Sequence, residues 1–124
     1  MTGFVVFAHG SRIDAANEAV RAVSAGMAET LAASGDAIIE TAFLELGTPD
    51  LPAAVERLME RGADRVVVIP YFLTLGRHVE RDLPAIVREI SERHNGIPID
   101  ITPPLDGHPA LLEVMLERAR GALG

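Results

Sequence analysis

Four histidines, eighteen acidic residues and eleven arginines are the groups through which this 124-residue chain can do chemistry, since it contains neither cysteine nor lysine. The missing thiols exclude disulfides, thiolate zinc and iron–sulfur sites and cysteine nucleophiles, so any metal must take nitrogen and oxygen ligands. The missing amines exclude a Schiff base, a P-loop lysine and a Ser–Lys pair. Three places remain where residue type and spacing combine. His9 stands in Phe7-Ala8-His9-Gly10-Ser11-Arg12, where Gly10 permits close backbone approach and Ser11 and Arg12 offer donors. That pattern is an anion or metal corner, or an ordinary structural turn. His78 lies between Arg77 and Arg81 after Pro70-Tyr71-Phe72-Leu73-Thr74-Leu75-Gly76; the alternative there is a solvated helix start with everyday Arg–Glu pairs. Glu45, in Phe43-Leu44-Glu45-Leu46-Gly47, is a carboxylate among apolar neighbours, either a surface residue or a group that accepts a proton and orients an imidazole.

The elements that must position these residues follow from hydrophobic period. Four β-branched apolar runs, Phe4–Ala8, Ile38–Leu44, Val66–Phe72 and Ile97–Ile101, alternate with four segments of helical period. Val66-Val67-Val68-Ile69 is apolar at consecutive positions, the mark of a strand covered on both faces. The helices carry one-sided stripes: Ala16, Val20, Val23, Met27 and Leu31; Leu51, Val55, Leu58 and Met59; Leu83, Ile86, Val87 and Ile90; Leu111, Leu112, Met115 and Ala119. Asp14 and Asp50 are placed as N-caps, Gly62 and Asn95-Gly96 as C-terminal caps, and Pro109 as a first-turn residue. The expected fold is α/β, a single (βα)4 three-layer domain over residues 1–124 with a four-stranded parallel sheet. Right-handed crossovers then gather the four βα loops, about 9–14, 44–50, 72–81 and 102–109, on the carboxyl edge where ligands bind such sheets. His9, His78 and His108 pass this filter. His94 falls at a helix C-terminus on the opposite edge, and His108, before Pro109, reads as a turn or cap residue ahead of a ligand.

Composition narrows the partners. A net charge of −7 with one Tyr, four Phe and no Trp lacks the basic stripe and stacking platform of a nucleic-acid binder. The apolar start, Phe4–Ala8, has no basic leader and is too short to span a membrane, so a soluble cytoplasmic protein is expected. Size scaling for 13.2 kDa gives a folded surface of about 6,400 Å².

Ala8-His9-Gly10-Ser11-Arg12, then Phe43-Leu44-Glu45-Leu46 with Pro49, Leu51 and Pro52, then Ile69-Pro70-Tyr71-Phe72-Leu73 with Gly76-Arg77-His78-Val79 and Asp82-Leu83-Pro84 together resemble the CbiX/SirB group of sirohydrochlorin chelatases. The match covers most of the chain and three of the four βα loops. The resemblance implies a lyase-class enzyme that inserts Co²⁺ or Fe²⁺ into sirohydrochlorin without ATP, in cobalamin or sirohaem biosynthesis, with the metal as substrate and no permanently bound cofactor. It implies metal ligation by His9 and His78 and an acidic role for Glu45; the fourth loop offers no matching motif, so His108 stays outside the set. Neutral imidazoles suit Co²⁺, Fe²⁺ and Ni²⁺, and a nearby base serves the two protons that metallation releases. Ser11, Arg12, Arg77 and Arg81, on the ligand loops, are our candidates for holding the macrocycle carboxylates against the overall negative charge. Long relatives have two such lobes. A four-stranded sheet only ~14 Å wide supplies one wall of a cleft, so a homodimer is expected, as in the short members. Nickel insertion and a non-catalytic metal or tetrapyrrole carrier are the alternatives; a phosphohistidine enzyme is opposed by the absence of an Arg before His9 and of a Gly-x-Ser-x-Gly elbow.

Overall fold

A computed structural model describes residues 1–35 and 37–124. The elements run β1 (Thr2–Ala8), α1 (Asp14–Ala32), β2 (Ala37–Phe43), α2 (Leu51–Glu60), β3 (Arg65–Pro70), α3 (Arg77–Arg93), β4 (Ile99–Ile101) and α4 (Pro109–Leu123). The strands form one sheet in the order β2-β1-β3-β4, all neighbours parallel, with Val5 opposite Glu40 on one side and Val68 on the other. Alternation along the strands sorts the core in two. Val5, Phe7, Val66 and Val68 point to the face carrying α2 and α3, where Leu58, Leu83, Val87 and Ile90 are buried. Val6, Ala8, Ile39 and Phe43 point to the other face, beneath Val20 of α1. The consecutive Val run of β3 is thus buried from both sides, as its composition demands.

Local signals were kept where side chains could supply them. The Asp50 carboxylate accepts from the Ala53 N–H at 3.0 Å, Gly62 takes a φ of 104° just past α2, and Asn95 and Gly96 take φ of 58° and 75° after α3. His94 is the C-cap of α3, and His108 caps α4 through Nδ1, which accepts from the Ala110 N–H at 3.0 Å.

Other expectations are corrected. Asp14 is the first helical residue and Ile13 the N-cap, because the Ser11 hydroxyl accepts from the Ile13 N–H at 3.0 Å and turns the chain one residue early. The third loop ends at Gly76, so His78 and Arg81 sit in the first turns of α3. The fourth strand is shorter than its apolar run, starting at Ile99, since Pro98 has no N–H for the ladder. The largest departure is α4. It buries none of its residues, Leu112 and Met115 are 62% and 68% exposed, and the accessible surface of the chain is 7907 Å² against the ~6,400 Å² of a compact chain of this mass. Of the apolar stripe expected to pack on the sheet, Leu111 is half-buried and Leu112, Met115 and Ala119 are exposed.

Candidate functional site

In the order β2-β1-β3-β4 the chain leaves β1 toward one side of the sheet and β3 toward the other. The gap between their carboxyl ends is a topological switch point, where diverging loops leave a crevice. His9 is the first residue beyond β1, and the segment beyond β3 leads to His78. Parallel pairing continues past the strand ends: the Leu44 N–H donates to the Ala8 carbonyl at 2.9 Å and the Glu45 N–H to the His9 carbonyl at 3.0 Å. This extension brings the side chains of His9 and Glu45 together, with Nε2 and Oε1 3.6 Å apart.

The other ring nitrogen of His9 lies 3.3 Å from the Gly10 carbonyl. A carbonyl can only accept, so this contact puts a proton on Nδ1 and, in the neutral ring, the lone pair on Nε2, facing the carboxylate. The ring also meets Phe72 edge-on, with centroids 6.4 Å apart, while Phe72 packs against Phe7 at 6.1 Å. His9 is therefore fixed by backbone on one side and by an aromatic of the β3–α3 loop on the other. Its side chain is nonetheless 55% exposed and that of Glu45 58% exposed, so the pair faces outward. His78 is also exposed, and its Nδ1 is 3.3 Å from Arg81 Nη2; a guanidinium only donates, so Nδ1 is the acceptor. Arg81 makes a second contact, from Nε to Asp82 Oδ1 at 3.3 Å, in place of the Arg–Glu pairing that a plain solvated helix start implied. Ser11 spends its backbone N–H on Asn17 Oδ1 at 2.9 Å, while Arg12 and Arg77 are exposed. Among the described residues no three His, Asp or Glu side chains gather closely enough to hold a metal ion. His9 and Glu45 are brought together, and His78 stands apart from them.

Two features escaped the sequence reading. Asn17, inside the α1 stripe, is buried: its amide donates to the carbonyls of Ser11 at 2.9 Å and Leu46 at 3.0 Å, and its Oδ1 accepts from Ser11. One side chain thereby ties the loop after His9 to the loop after Glu45, and it holds Leu46 in the left-handed region at φ 55°, costly for a branched residue. A buried polar residue at an apolar period was the only available sign. The second feature is an apolar rim on the carboxyl edge, where Ile13, Leu44, Leu46, Tyr71 and Leu73 are all exposed. Loop leucines look like noise in a sequence; gathered on one edge they form an exposed apolar rim of the kind that marks interaction sites. Asn17→Ala removes three hydrogen bonds from a buried position, and unfolding in urea is expected to show a loss of about 2–3 kcal/mol. A loss below about 0.5 kcal/mol would mean that the loops hold themselves.

The strand order, the crevice and the outward-facing imidazole–carboxylate pair define a small parallel α/β domain with its ligand edge at the switch point and a nitrogen–oxygen donor set on it. Residues 3–122 match the CbiX family model, and the chain belongs to that family. A chloroplastic sirohydrochlorin ferrochelatase of Arabidopsis thaliana is 34% identical over 121 residues, covering 98% of this chain and 52% of its own length. A sirohydrochlorin cobaltochelatase of Sulfolobus acidocaldarius is 32% identical over 123 residues, covering 99% of this chain and 94% of its own. The solved CbiX protein of Marinobacter aquaeolei VT8 superposes with a TM-score of 0.82 at 27% identity, over 99% of this chain and 98% of that one. The sirohydrochlorin chelatase SirB of Bacillus subtilis, solved with cobalt, shares the fold at a TM-score of 0.79 and 24% identity, over 97% of this chain and 50% of that one. The chain thus spans about half the length of the plant relative and of SirB, and nearly all of the archaeal and Marinobacter proteins.

Proposed function

We propose that this chain is a chelatase of the lyase class that inserts a divalent metal, Co²⁺ or Fe²⁺, into sirohydrochlorin without ATP, acting in the cytoplasm as a homodimer and without a permanent cofactor. The observation that carries the reading is the His9–Glu45 pair, two donors 3.6 Å apart with no hydrogen bond between them, beside an exposed apolar rim. At that separation the Glu45 carboxylate stands beside whatever His9 Nε2 holds, where a base must stand to receive a proton. With the metal at His9 and His78, Glu45 is placed to take the protons that leave the macrocycle nitrogens. Ser11, Arg12, Arg77 and Arg81 meet the carboxylates of the macrocycle, where charge-assisted, bidentate contacts favour arginine.

The domain, residues 1–124, is one lobe. Its donors are more than half exposed, and its relatives of twice the length leave room for a second such lobe in the same chain. A second copy facing the ligand edge completes the cleft and presents two sets of His9 and His78. Light scattering is expected to give twice the 13.2 kDa chain mass; a monomer that metallates at full rate would contradict the dimer. The reaction is tested by anaerobic incubation of sirohydrochlorin with Co²⁺, Fe²⁺ or Ni²⁺ while macrocycle absorption is followed. Multiple turnovers above the spontaneous rate support the chelatase and rank the metals, nickel included; stoichiometric binding without turnover identifies a carrier.

Arg81 gives a sharper expectation. It occupies His78 Nδ1, yet a substrate carboxylate is a stronger acceptor for a guanidinium than a neutral imidazole is. Arg81→Ala should raise KM for sirohydrochlorin about tenfold, the worth of one charge-assisted contact, without weakening Co²⁺ binding measured in the absence of the macrocycle. Weaker Co²⁺ binding with KM unchanged would place Arg81 in support of His78 alone.

A further inference from the structure

We infer that Arg81 is a latch on His78: its guanidinium holds that imidazole in a state closed to the metal, and a carboxylate of the macrocycle opens it by drawing Arg81 away. The inference rests on the chelatase reading above and adds to it an order of events at the two histidines.

The two imidazoles are held in opposite ways. A histidine that binds a metal through one ring nitrogen ordinarily donates the N–H of the other to a carbonyl or carboxylate, which fixes the tautomer and leaves the ligating lone pair free. His9 conforms. Its Nδ1 meets the Gly10 carbonyl at 3.3 Å, so Nε2 offers its lone pair to the crevice. His78 meets a donor where an acceptor belongs, since its Nδ1 lies 3.3 Å from Arg81 Nη2. In the neutral ring the Nδ1 lone pair is then spent on the guanidinium and Nε2 carries the proton. Neither nitrogen is open to a cation. Departure of Arg81 frees Nδ1, or lets the proton move there and frees Nε2 instead. Whichever nitrogen is used, His78 becomes a ligand only when Arg81 leaves.

The helix fixes the closed contact and leaves the arginine able to go. His78 and Arg81 are three residues apart on α3, neighbours on one helix face. Val79 and Leu83 pack into the core from the same turns and hold them against the sheet. The Arg81 side chain is itself 73% exposed, and its second contact, to Asp82 Oδ1 at 3.3 Å, also lies on the surface. Contacts this exposed shift an equilibrium by about twofold to fivefold. A substrate carboxylate that engages both arms of the guanidinium fork outcompetes them. In the free protein, then, the metal is met by His9, and His78 joins once the macrocycle is seated and ready to receive the ion.

Co²⁺ binding without macrocycle, measured by isothermal titration calorimetry, tests the latch apart from turnover. Arg81→Ala is expected to bind Co²⁺ about threefold more tightly than the parent, because the open form of His78 is no longer a fraction of the population. Loss of a positive charge would favour a cation by itself, so the same substitution is also made in a His78→Ala chain, where the gain should vanish. No gain in Arg81→Ala, or an equal gain with and without His78, overturns the latch and leaves the chelatase reading standing. A parent chain that binds no Co²⁺ removes the metal site and the latch together, and in a chain that binds Co²⁺ but turns nothing over the calorimetric cycle still decides. Opening by the macrocycle is read from KM for Co²⁺ at saturating sirohydrochlorin, where the parent and Arg81→Ala should coincide; a threefold difference that persists there would show that the macrocycle does not withdraw Arg81. Long-range proton–nitrogen correlation spectra of the metal-free chain, at about pH 8.5 and above the ordinary range of histidine, give a second readout. The proton is expected on Nδ1 in His9 and on Nε2 in His78; a His78 ring protonated at Nδ1 has no lone pair for Arg81 and overturns the inference.

Discussion

His9→Ala is expected to lower the rate of sirohydrochlorin metallation by about 10²-fold or more, within the range set by removing a positioned proton-transfer or metal-binding group, and to leave the fold intact. The separation of effects is the point. The His9 ring is more than half exposed and its one hydrogen bond is to the adjacent residue, so its loss falls in the ±0.5 kcal/mol class of surface substitutions. Its Nε2, by contrast, faces Glu45 across 3.6 Å at the head of the crevice, and no other imidazole is placed there among the described residues. His78→Ala should fall by a similar factor. Glu45→Gln keeps the shape and an acceptor but loses the charge and the basicity, and a drop of about tenfold to a hundredfold is expected. His94→Ala is the control, since that residue caps α3 on the far edge of the sheet. Anaerobic initial rates with Co²⁺ at saturating macrocycle decide it: His9→Ala within threefold of the parent, or His94→Ala as damaging as His9→Ala, would remove the site from the β1 edge.

Much of this arrangement was legible in the residues, and what escaped at the site depends on contacts between distant segments. Strand and helix alternation, the caps at Asp50, Gly62 and Asn95-Gly96, and the edge carrying His9 and His78 all follow from period and turn chemistry, which act within a few residues. The strand order β2-β1-β3-β4, which makes the gap between β1 and β3 a crevice, depends on contacts between distant segments and has no local sign. Asn17 was invisible for the same reason: its partners Ser11 and Leu46 lie on two loops, 6 and 29 residues away. The α4 stripe shows the opposite failure. Leu111, Leu112 and Met115 repeat at the spacing of a buried face, yet period reveals only that a face is apolar, not that the chain buries it. The charge pattern is similarly ambiguous until folded. A net charge of −7 disfavours a polycarboxylate at long range, and the proposed role of Arg12, Arg77 and Arg81 depends on their being placed at the ligand edge, which the charge count alone does not reveal.

Gly10→Ala is expected to be the most damaging single methyl that can be added to this chain's ligand edge. Gly10 has a φ of 96°, a region where an L side chain costs about 1–2 kcal/mol. A Cβ built there would also lie 1.7 Å from the Glu45 carbonyl oxygen, a backbone atom that cannot rotate away. Relief requires the two loops to part, and parting them breaks the Glu45 N–H to His9 carbonyl bond that sets the 3.6 Å separation of the pair. A total loss of about 3 kcal/mol or more follows from strain plus the broken contacts, with metallation falling at least as far as in Glu45→Gln. Gly62→Ala isolates the first contribution: its φ is 104° and nothing lies within 4 Å of the added Cβ, so only the backbone cost of about 1–2 kcal/mol applies and activity should be kept. Urea unfolding and initial rates on both variants separate conformation from contact. Equal destabilisation of the two, or a Gly10→Ala chain that metallates normally, would show that the loops bearing His9 and Glu45 move apart freely and that their close approach does not build the site.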